Sequence, residues 1–401
     1  MMTNPQHQAL PHATRSGPSW LEHPILGLGF RPFYLLSAAF AALAIPVWLL
    51  RYYGKLPGAA RVDLVWHTHE MVYGFAVAVL IGFLYTAARN WTGLWTPRHG
   101  HLAALALLWL AGRAAMLLLN APLAAIVDLA FLPMAAWPLY RVLRRAGNKR
   151  NLFLVALLGL LALVNLAFHA ARLGWIEISP LRPVHTAILI IVVIESAIGG
   201  RVIPMFTGNA LPGVKPLVDA RGDRIALALT IGAALAWTLS LPGPLCAGIA
   251  AAAAVAQATR LAGWMPHRTL AYPLLWILHA SYAWIVVGLL LLALSALDVV
   301  SASAAFHALA VGSMAGLVIG MITRTALGHT GAALRAGAGE TAMYALVQFG
   351  ALARLAAAIG PVSWRDGALM LAALTWSLAF LLYLALYLPR LCAPRPDGKP
   401  G

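Results

Sequence analysis

Long apolar runs separated by short polar segments repeat along almost the whole chain. A helix needs about 20 apolar residues to cross a bilayer, and the sequence contains twelve such runs, at 33–50, 67–88, 102–119, 122–140, 152–171, 184–205, 225–241, 244–262, 270–295, 302–327, 341–360 and 367–388. Proline and glycine interrupt the runs at 120–122 and 241–244, which predicts two tight hairpin turns there. We therefore expect an all-α polytopic membrane protein with one twelve-helix domain at 33–388, between tails at 1–32 and 389–401.

The composition agrees with a chain that is largely covered by lipid. Hydrophobic residues make up 62% of it and charged residues only 10%, whereas a soluble protein carries about 25% charged residues. The net charge of +16 raises the question of nucleic-acid binding. Cytoplasmic loops of membrane proteins collect lysine and arginine, so we expect the bilayer as the partner and no nucleic acid.

The basic residues also predict the orientation of the chain. If the N-terminus is cytoplasmic, most of them, including Arg15, Arg31 and the cluster at 141–150, fall in cytoplasmic segments. Few remain outside: Arg51, Lys55, Arg61, Arg172, Arg182 and Arg365. Because positive charge favours the cytoplasmic side, both termini are expected to be cytoplasmic. Two charges fall inside predicted spans on either side of a hairpin, Arg113 and Asp128, and we expect them to pair.

Three of the predicted helices share a pattern that suggests an internal repeat. The second, sixth and tenth begin with histidines at the outer surface, and each ends in an arginine (Arg89, Arg201, Arg324) and a Thr-Gly pair. The threonine lies 22 or 23 residues after His69, His185 and His307. Three four-helix repeats, at 33–145, 150–265 and 268–388, would explain this pattern and set three imidazoles at equal depth around one axis. Membrane folds place binding sites where such repeats meet.

The histidines are the candidate metal ligands. Ionisable groups inside a membrane are costly and usually functional, and six histidines fall in the outer half or the middle of the membrane: His67, His69, His169, His185, His279 and His307. Imidazole binds copper, zinc and haem iron. One histidine at this depth is more often a hydrogen-bonding group of the interface, but the whole group favours a metal or haem site.

His67 and His69 cannot both bind one metal if both are helical. Residues two apart on a helix point to nearly opposite sides. Either the helix therefore begins after His67, or the two histidines serve different centres. Gly312, Gly316 and Gly320 below His307 indicate a close approach to the tenth helix, either by a flat macrocycle or by another helix.

The cytoplasmic ends of the sixth and tenth helices form a second region of interest. Proline removes a backbone hydrogen bond, so Pro204 predicts a broken helix beside Arg201. Broken helices with nearby arginines can bind anions, including haem propionates, through Arg201 and Arg324. Anchoring to lipid headgroups and the positive-inside rule explain the same arginines without a ligand.

Four segments in this order resemble the NnrS family of bacterial inner-membrane proteins: HPILGLGFRPF (23–33), WHTHEMVYGF (66–75), GGRVIPMFTGN (199–209) and FHALAVGSMAGLVIGMITRTALGHTG (306–331). The resemblance covers nearly all twelve spans. It implies an inner-membrane protein that contains b-type haem and copper and is linked to nitric oxide metabolism and nitrosative stress. Carried onto this chain, it implies that His67, His69, His185 and His307 ligate haem or copper. His169 and His279 are weaker candidates, and Arg201 and Arg324 fall in the family-like motifs.

Three functions remain open at this point. The first is a haem–copper redox protein that binds or converts nitric oxide and takes electrons from an unidentified donor. The second is a carrier of a metal, haem or a small anion that takes up its substrate at the outer histidines. The third is a sensor or stability partner of another nitric oxide-handling complex.

Overall fold

The computed structural model describes residues 19–399, which form twelve long helices joined by short loops. Arg15 and most of the predicted N-terminal tail lie outside the described residues. The helices are α1 Phe30–Tyr52, α2 Leu64–Thr92, α3 His99–Leu118, α4 Ala121–Arg145, α5 Leu152–Arg172, α6 Leu181–Ala210, α7 Ala220–Thr238, α8 Gly243–Gly263, α9 Pro273–Ala296, α10 Ala302–His329, α11 Ala338–Ile359 and α12 Arg365–Cys392. Short 3₁₀ turns lie at Ser19–Glu22, Pro24–Leu26, Lys149–Asn151, Pro266–Thr269 and Val362–Trp364.

The predicted class is confirmed: the protein is an all-α polytopic membrane protein. Eleven of the twelve helices are long and apolar enough to cross a bilayer. The exception is α7, whose first turns carry Arg221, Asp223 and Arg224. These charges lie at one end of the helix, where polar headgroups can solvate them, so the apolar remainder of α7 still fits the span predicted at 225–241.

Three helices form the centre of the bundle. The most apolar stretches of α2, α6 and α10 are buried to 83, 72 and 72%, and that of α9 to 67%, whereas the other apolar helices reach 33–50%. Each helix packs against its neighbours in sequence, and α12 packs against α1, so the bundle is closed. Within it, α2, α6 and α10 lie at the centre and most of the other helices lie outside them. The second, sixth and tenth helices are thus the central ones, and the proposed division into three repeats remains a prediction.

Both ends of the membrane domain lie at the same end of the bundle. The Arg31 guanidinium at the start of α1 donates hydrogen bonds to the carbonyl oxygens of Leu391 (2.7 Å), in the last turn of α12, and of Ala393 (2.8 Å), just after it. We call this the arginine end, because Arg201 and Arg324 lie near it, and the opposite one the histidine end. The assignment of the arginine end to the cytoplasm stays a prediction.

The twelve predicted runs match the twelve helices, but the sixth helix differs in one respect. We expected Pro204 to break it, and that prediction is wrong: α6 continues to Ala210. The proline removes one backbone hydrogen bond. The helix around it is held by other contacts, since Thr207 Oγ1 donates to the carbonyl of Ile203 (3.0 Å) and both Ile203 and Pro204 are buried.

Candidate metal centre

A cavity of about 320 Å³ opens between the central helices at the histidine end. Imidazoles from all three central helices line it: His67 of α2, His185 of α6 and His307 of α10. We call it the histidine cavity. Each histidine lies within the first two turns of its helix, so the three rings have similar depths. Most other lining side chains are apolar, among them Met71, Met314, Trp48, Phe306 and Trp376.

His67 is held in place by the way α2 begins. The Asp63 carboxylate caps the helix by accepting a hydrogen bond from the Trp66 N–H (2.7 Å), which satisfies one of the free donors at a helix N-terminus. The helix thus begins before His67, whose ring stacks on Trp48 with centroids 4.1 Å apart. His67 is nearly buried, and its Nδ1 has no hydrogen-bond partner among residues 19–399. A buried imidazole nitrogen without a protein partner can bind a water molecule or a metal ion.

The other two imidazoles are also fixed by their surroundings. The His185 ring stacks on Phe306, with centroids 3.8 Å apart and planes nearly parallel. His307 Nδ1 donates to the carbonyl oxygen of Ser303, one turn earlier, at 2.7 Å. This hydrogen bond sets the tautomer of His307 and leaves the lone pair of Nε2 free. Metal-binding histidines have the same arrangement, in which the second nitrogen donates to a carbonyl or carboxylate.

His69 lies on the opposite side of α2 and does not reach the cavity. Its Nδ1 is 3.0 Å from Glu70 Oε1, and its Nε2 is 3.0 Å from Asn165 Oδ1. Because the Asn165 amide nitrogen donates to Asp128 Oδ2 (2.8 Å), its oxygen faces His69 as an acceptor. Both ring nitrogens of His69 therefore donate, which only an imidazolium can do. Its role as a metal ligand stays a prediction.

His69 belongs to a buried group of charges that also contains Arg113, Glu70 and Asp128. Arg113 pairs with Asp128 across the predicted hairpin, which confirms the expected pair, and it also binds Glu70 Oε1 at 2.7 Å. With a protonated His69, two positive and two negative charges balance. We call these four residues the charge cluster. The sequence analysis missed Glu70 as a partner, although Glu70 directly follows His69 in the HxHE motif.

His169 contacts the charge cluster rather than the cavity. Its Nε2 is 3.0 Å from Asp128 Oδ2. Ligand atoms of His69, Asp128 and His169 lie within 4.8 Å of one another, a spacing that would suit a metal ion. Both carboxylate oxygens of Asp128 already accept hydrogen bonds from Arg113, Asn165 and His169. The group is thus satisfied by hydrogen bonds alone, and it is not our candidate centre.

The remaining predicted residues lie away from the cavity. His279 contacts Thr207 Oγ1 (3.4 Å) and the carbonyl of Leu275 (3.1 Å). At the arginine end, the Arg324 guanidinium lies 3.8 Å above the Phe206 ring, and Arg201 donates to Asn151 Oδ1 (3.3 Å). The cofactor roles predicted for Arg201 and Arg324 stay predictions, and the structure brings neither arginine to the three imidazoles.

One cavity residue was missed in the sequence. Arg354 of α11 lines the histidine cavity, and its Nη2 donates to Ser303 Oγ at 3.1 Å. No acidic side chain in the described part of the chain forms an ion pair with Arg354. The sequence did offer a signal for Arg354, because it is an isolated arginine inside an apolar span. A guanidinium inside a membrane is costly without an anion, so such a residue indicates a functional site. The cavity thus combines three imidazoles with one cationic group.

Comparison with known protein families shows which family this chain belongs to. The model of the family described as "NnrS protein" matches residues 24–395, which is nearly the whole chain. The chain belongs to the NnrS family. No protein in a search of curated proteins matches it. The family match includes every residue of the histidine cavity and the charge cluster.

Proposed function

We propose that this NnrS-family protein binds haem and copper in the bacterial inner membrane and acts in nitric oxide metabolism or resistance to nitrosative stress. The observation that carries the proposal is that His67, His185 and His307 all line one cavity. The three imidazoles come from the three central helices, and two of them have defined free or unpartnered nitrogens. The sequence resemblance to the family supplies the identity of the cofactors.

The donor set fits copper. Imidazole suits copper, whose affinity for nitrogen ligands is high among divalent metals. Three helices hold the rings, and stacking on Trp48 and Phe306 restricts two of them. Because the ligand atoms of the three imidazoles do not all lie within 4.8 Å of one another, one copper held by all three would require the rings to move closer together.

The walls of the histidine cavity also fit a haem. One imidazole can serve as an axial ligand, the aromatic and aliphatic walls match a macrocycle, and the Arg354 guanidinium can bind a propionate. When bound, haem and copper supply one-electron chemistry and a coordination site for a diatomic gas. The protein's own part is to hold the imidazoles, to exclude water and to provide one cation.

Optical spectroscopy of the purified protein tests this proposal. We expect a Soret band, copper by elemental analysis, and a shift of the Soret band when nitric oxide is added to the reduced protein. A protein purified from haem- and copper-replete cells that contains neither cofactor would refute the proposal.

A second function is favoured by a separate observation. Another cavity, of about 100 Å³, lies further along α2, α6 and α10, and Met314 lines both cavities. A carrier for a metal, haem or a small anion needs a path through the centre of the bundle with a binding site near the middle of the membrane. Two cavities in line between the central helices agree with such a path. A carrier would produce flux of copper or nitrite into proteoliposomes and would retain its metal weakly. A redox protein would retain its cofactors and show no flux.

A further inference from the structure

The second cavity, which we call the inner chamber, contains one acidic side chain. Ala76, Leu80 and Phe83 of α2, Ile194 and Ile198 of α6, and Met314 and Met321 of α10 form much of its wall. The acidic side chain is Glu195 of α6. Ten residues of helix separate it from His185, so at 1.5 Å per residue it lies about 15 Å further into the membrane. The motifs that suggested the metal site do not account for this carboxyl.

Glu195 has one hydrogen-bond partner among residues 19–399. Ser313 Oγ of α10 donates to Glu195 Oε2 at 2.8 Å. No lysine, arginine or histidine among residues 19–399 forms an ion pair with it. Glu70 on the neighbouring central helix differs, since Arg113 binds its Oε1 at 2.7 Å. Glu70 is fully buried beside a cation, whereas Glu195 is partly exposed and has a neutral partner.

The charged groups nearest to the chamber pair with each other. On α8, the Arg260 guanidinium donates to Asp223 Oδ1 of α7 (2.7 Å) and to the Tyr282 hydroxyl of α9 (2.9 Å). It also contacts the carbonyl of Ser196, the residue that follows Glu195 (3.3 Å). The residues that α2 and α10 contribute to the chamber wall are apolar. Arg260 therefore does not neutralise Glu195 directly.

An unpaired carboxylate in such surroundings is unfavourable. Burying a charge without a partner costs several kcal/mol or more, and a group that can neutralise itself does so. A neutral carboxylic acid can accept the serine hydrogen bond on one oxygen and keep its proton on the other. From this geometry we propose that Glu195 is a proton-binding site in the membrane interior that opens onto the inner chamber. The proposal does not depend on haem or copper in the histidine cavity.

Reaction with dicyclohexylcarbodiimide tests the proposal directly. This apolar reagent adds a protonated carboxyl group across its C=N bond, and the adduct rearranges to a stable acylurea without any other reactant. We expect the full-length protein in membranes to be labelled at Glu195 and not at the ion-paired Glu70, as read by mass spectrometry of peptides. Labelling is expected to fall as the pH rises, because the reactive form is the acid.

Two variants provide the controls. Glu195→Gln should lose the label completely, and it should also lose an infrared carbonyl band that belongs to a protonated carboxyl. Ser313→Ala should keep the label and shift this band, because the serine hydrogen bond is lost. The band gives a second measurement should the reagent fail to enter the chamber.

The outcomes separate clearly. A label at Glu195, or a protonated-carboxyl band that only Glu195→Gln removes, supports the proposal. Absence of both in the wild-type protein overturns it. None of these readouts requires a bound cofactor, so they are independent of the proposed function.

Discussion

His67 and His69 are two residues apart in sequence and lie in two different environments. Both are helical, because Asp63 caps α2 ahead of them. His67 lines the histidine cavity and its Nδ1 has no partner among residues 19–399, whereas His69 donates to Glu70 of the charge cluster and to Asn165. The structure thus decides between the two alternatives that the HxHE motif left open: the helix does not begin after His67, and the histidines serve different sites.

At the residue scale, the charge cluster is expected to be important for stability. Asp128→Asn leaves Arg113 and His69 with one carboxylate between them. Removing one partner of a buried ion pair typically costs about 3–5 kcal/mol. We predict a marked fall in the unfolding temperature of the detergent-solubilised protein. Asp298→Asn, at an exposed loop residue, is the matched control and should leave that temperature unchanged. An equal effect of both substitutions would contradict a role of the cluster in stability.

Arg354 is expected to bind anions in the histidine cavity. A hydrogen bond to a charged group contributes about 1.5–3 kcal/mol, which corresponds to roughly a 10- to 100-fold change in affinity. We predict that Arg354→Gln weakens nitrite binding by this factor in isothermal titration calorimetry. The matched control is Arg61→Gln, because Arg61 is exposed in the loop before α2, at the same end of the bundle. Unchanged nitrite affinity in Arg354→Gln would show that the cavity does not use this guanidinium.

At the element scale, two of the three central helices depart from regular α-helix at corresponding places. A π-helical segment at Glu70–Ala76 follows His69 directly, and another at Ala308–Ala315 follows His307. A π turn contains an extra residue, which changes the direction of every later side chain. Matching by sequence spacing paired His69 with His307, whereas it is His67 that shares the cavity with His307. Both π segments follow the histidines, so the choice of His67 over His69 depends instead on the rotation of α2 about its axis, which tertiary packing sets.

Close packing of α9 against α10 explains the glycines of the tenth helix. A Cβ atom on Gly316 would lie 2.8 Å from Ser281 Cβ, and one on Gly320 would lie 2.8 Å from Leu278 Cδ2. Of the two explanations for these glycines, contact with another helix is therefore the one that the structure shows. In a membrane, small residues let helices approach and gain van der Waals contact.

We predict that Gly316→Ala destabilises the protein by about 1–3 kcal/mol, the usual cost of overpacking. The measurement is thermal unfolding in detergent. Gly248→Ala on α8 serves as the control, because a Cβ atom there meets nothing within 4 Å. It should be neutral or slightly stabilising, since alanine favours helix over glycine by about 1 kcal/mol. A stable Gly316→Ala protein would contradict the packing of α9 on α10.

At the scale of the whole molecule, the hydrophobic pattern predicted the fold well and the site only in part. Twelve apolar runs became twelve helices because each span must satisfy its backbone hydrogen bonds internally. The Arg113–Asp128 pair was predictable because a short hairpin holds both at similar depth. The separation of His69 from His67, His185 and His307, and the place of Arg354 beside them, were not predictable, since they depend on the rotation of α2, α6, α10 and α11 about their axes, which tertiary packing sets.

The orientation of the bundle is a prediction that chemical labelling can check. The loop at Asp298 lies at the histidine end and the loop at Lys215 at the arginine end. In a protein with Cys246→Ser and Cys392→Ser, we expect a membrane-impermeant thiol reagent to label Asp298→Cys from the periplasmic side of intact cells. Lys215→Cys should react only after the membrane is opened. The reverse pattern would place the histidine end in the cytoplasm.

The most direct test of the account is the cofactor content of three single variants. We predict that His67→Ala, His185→Ala and His307→Ala each lose most of the copper or haem measured by elemental analysis and optical spectrum, while remaining folded. His101→Ala, an exposed histidine at the arginine end, should keep wild-type content. Full retention of both cofactors in all three variants would contradict a metal centre in the histidine cavity.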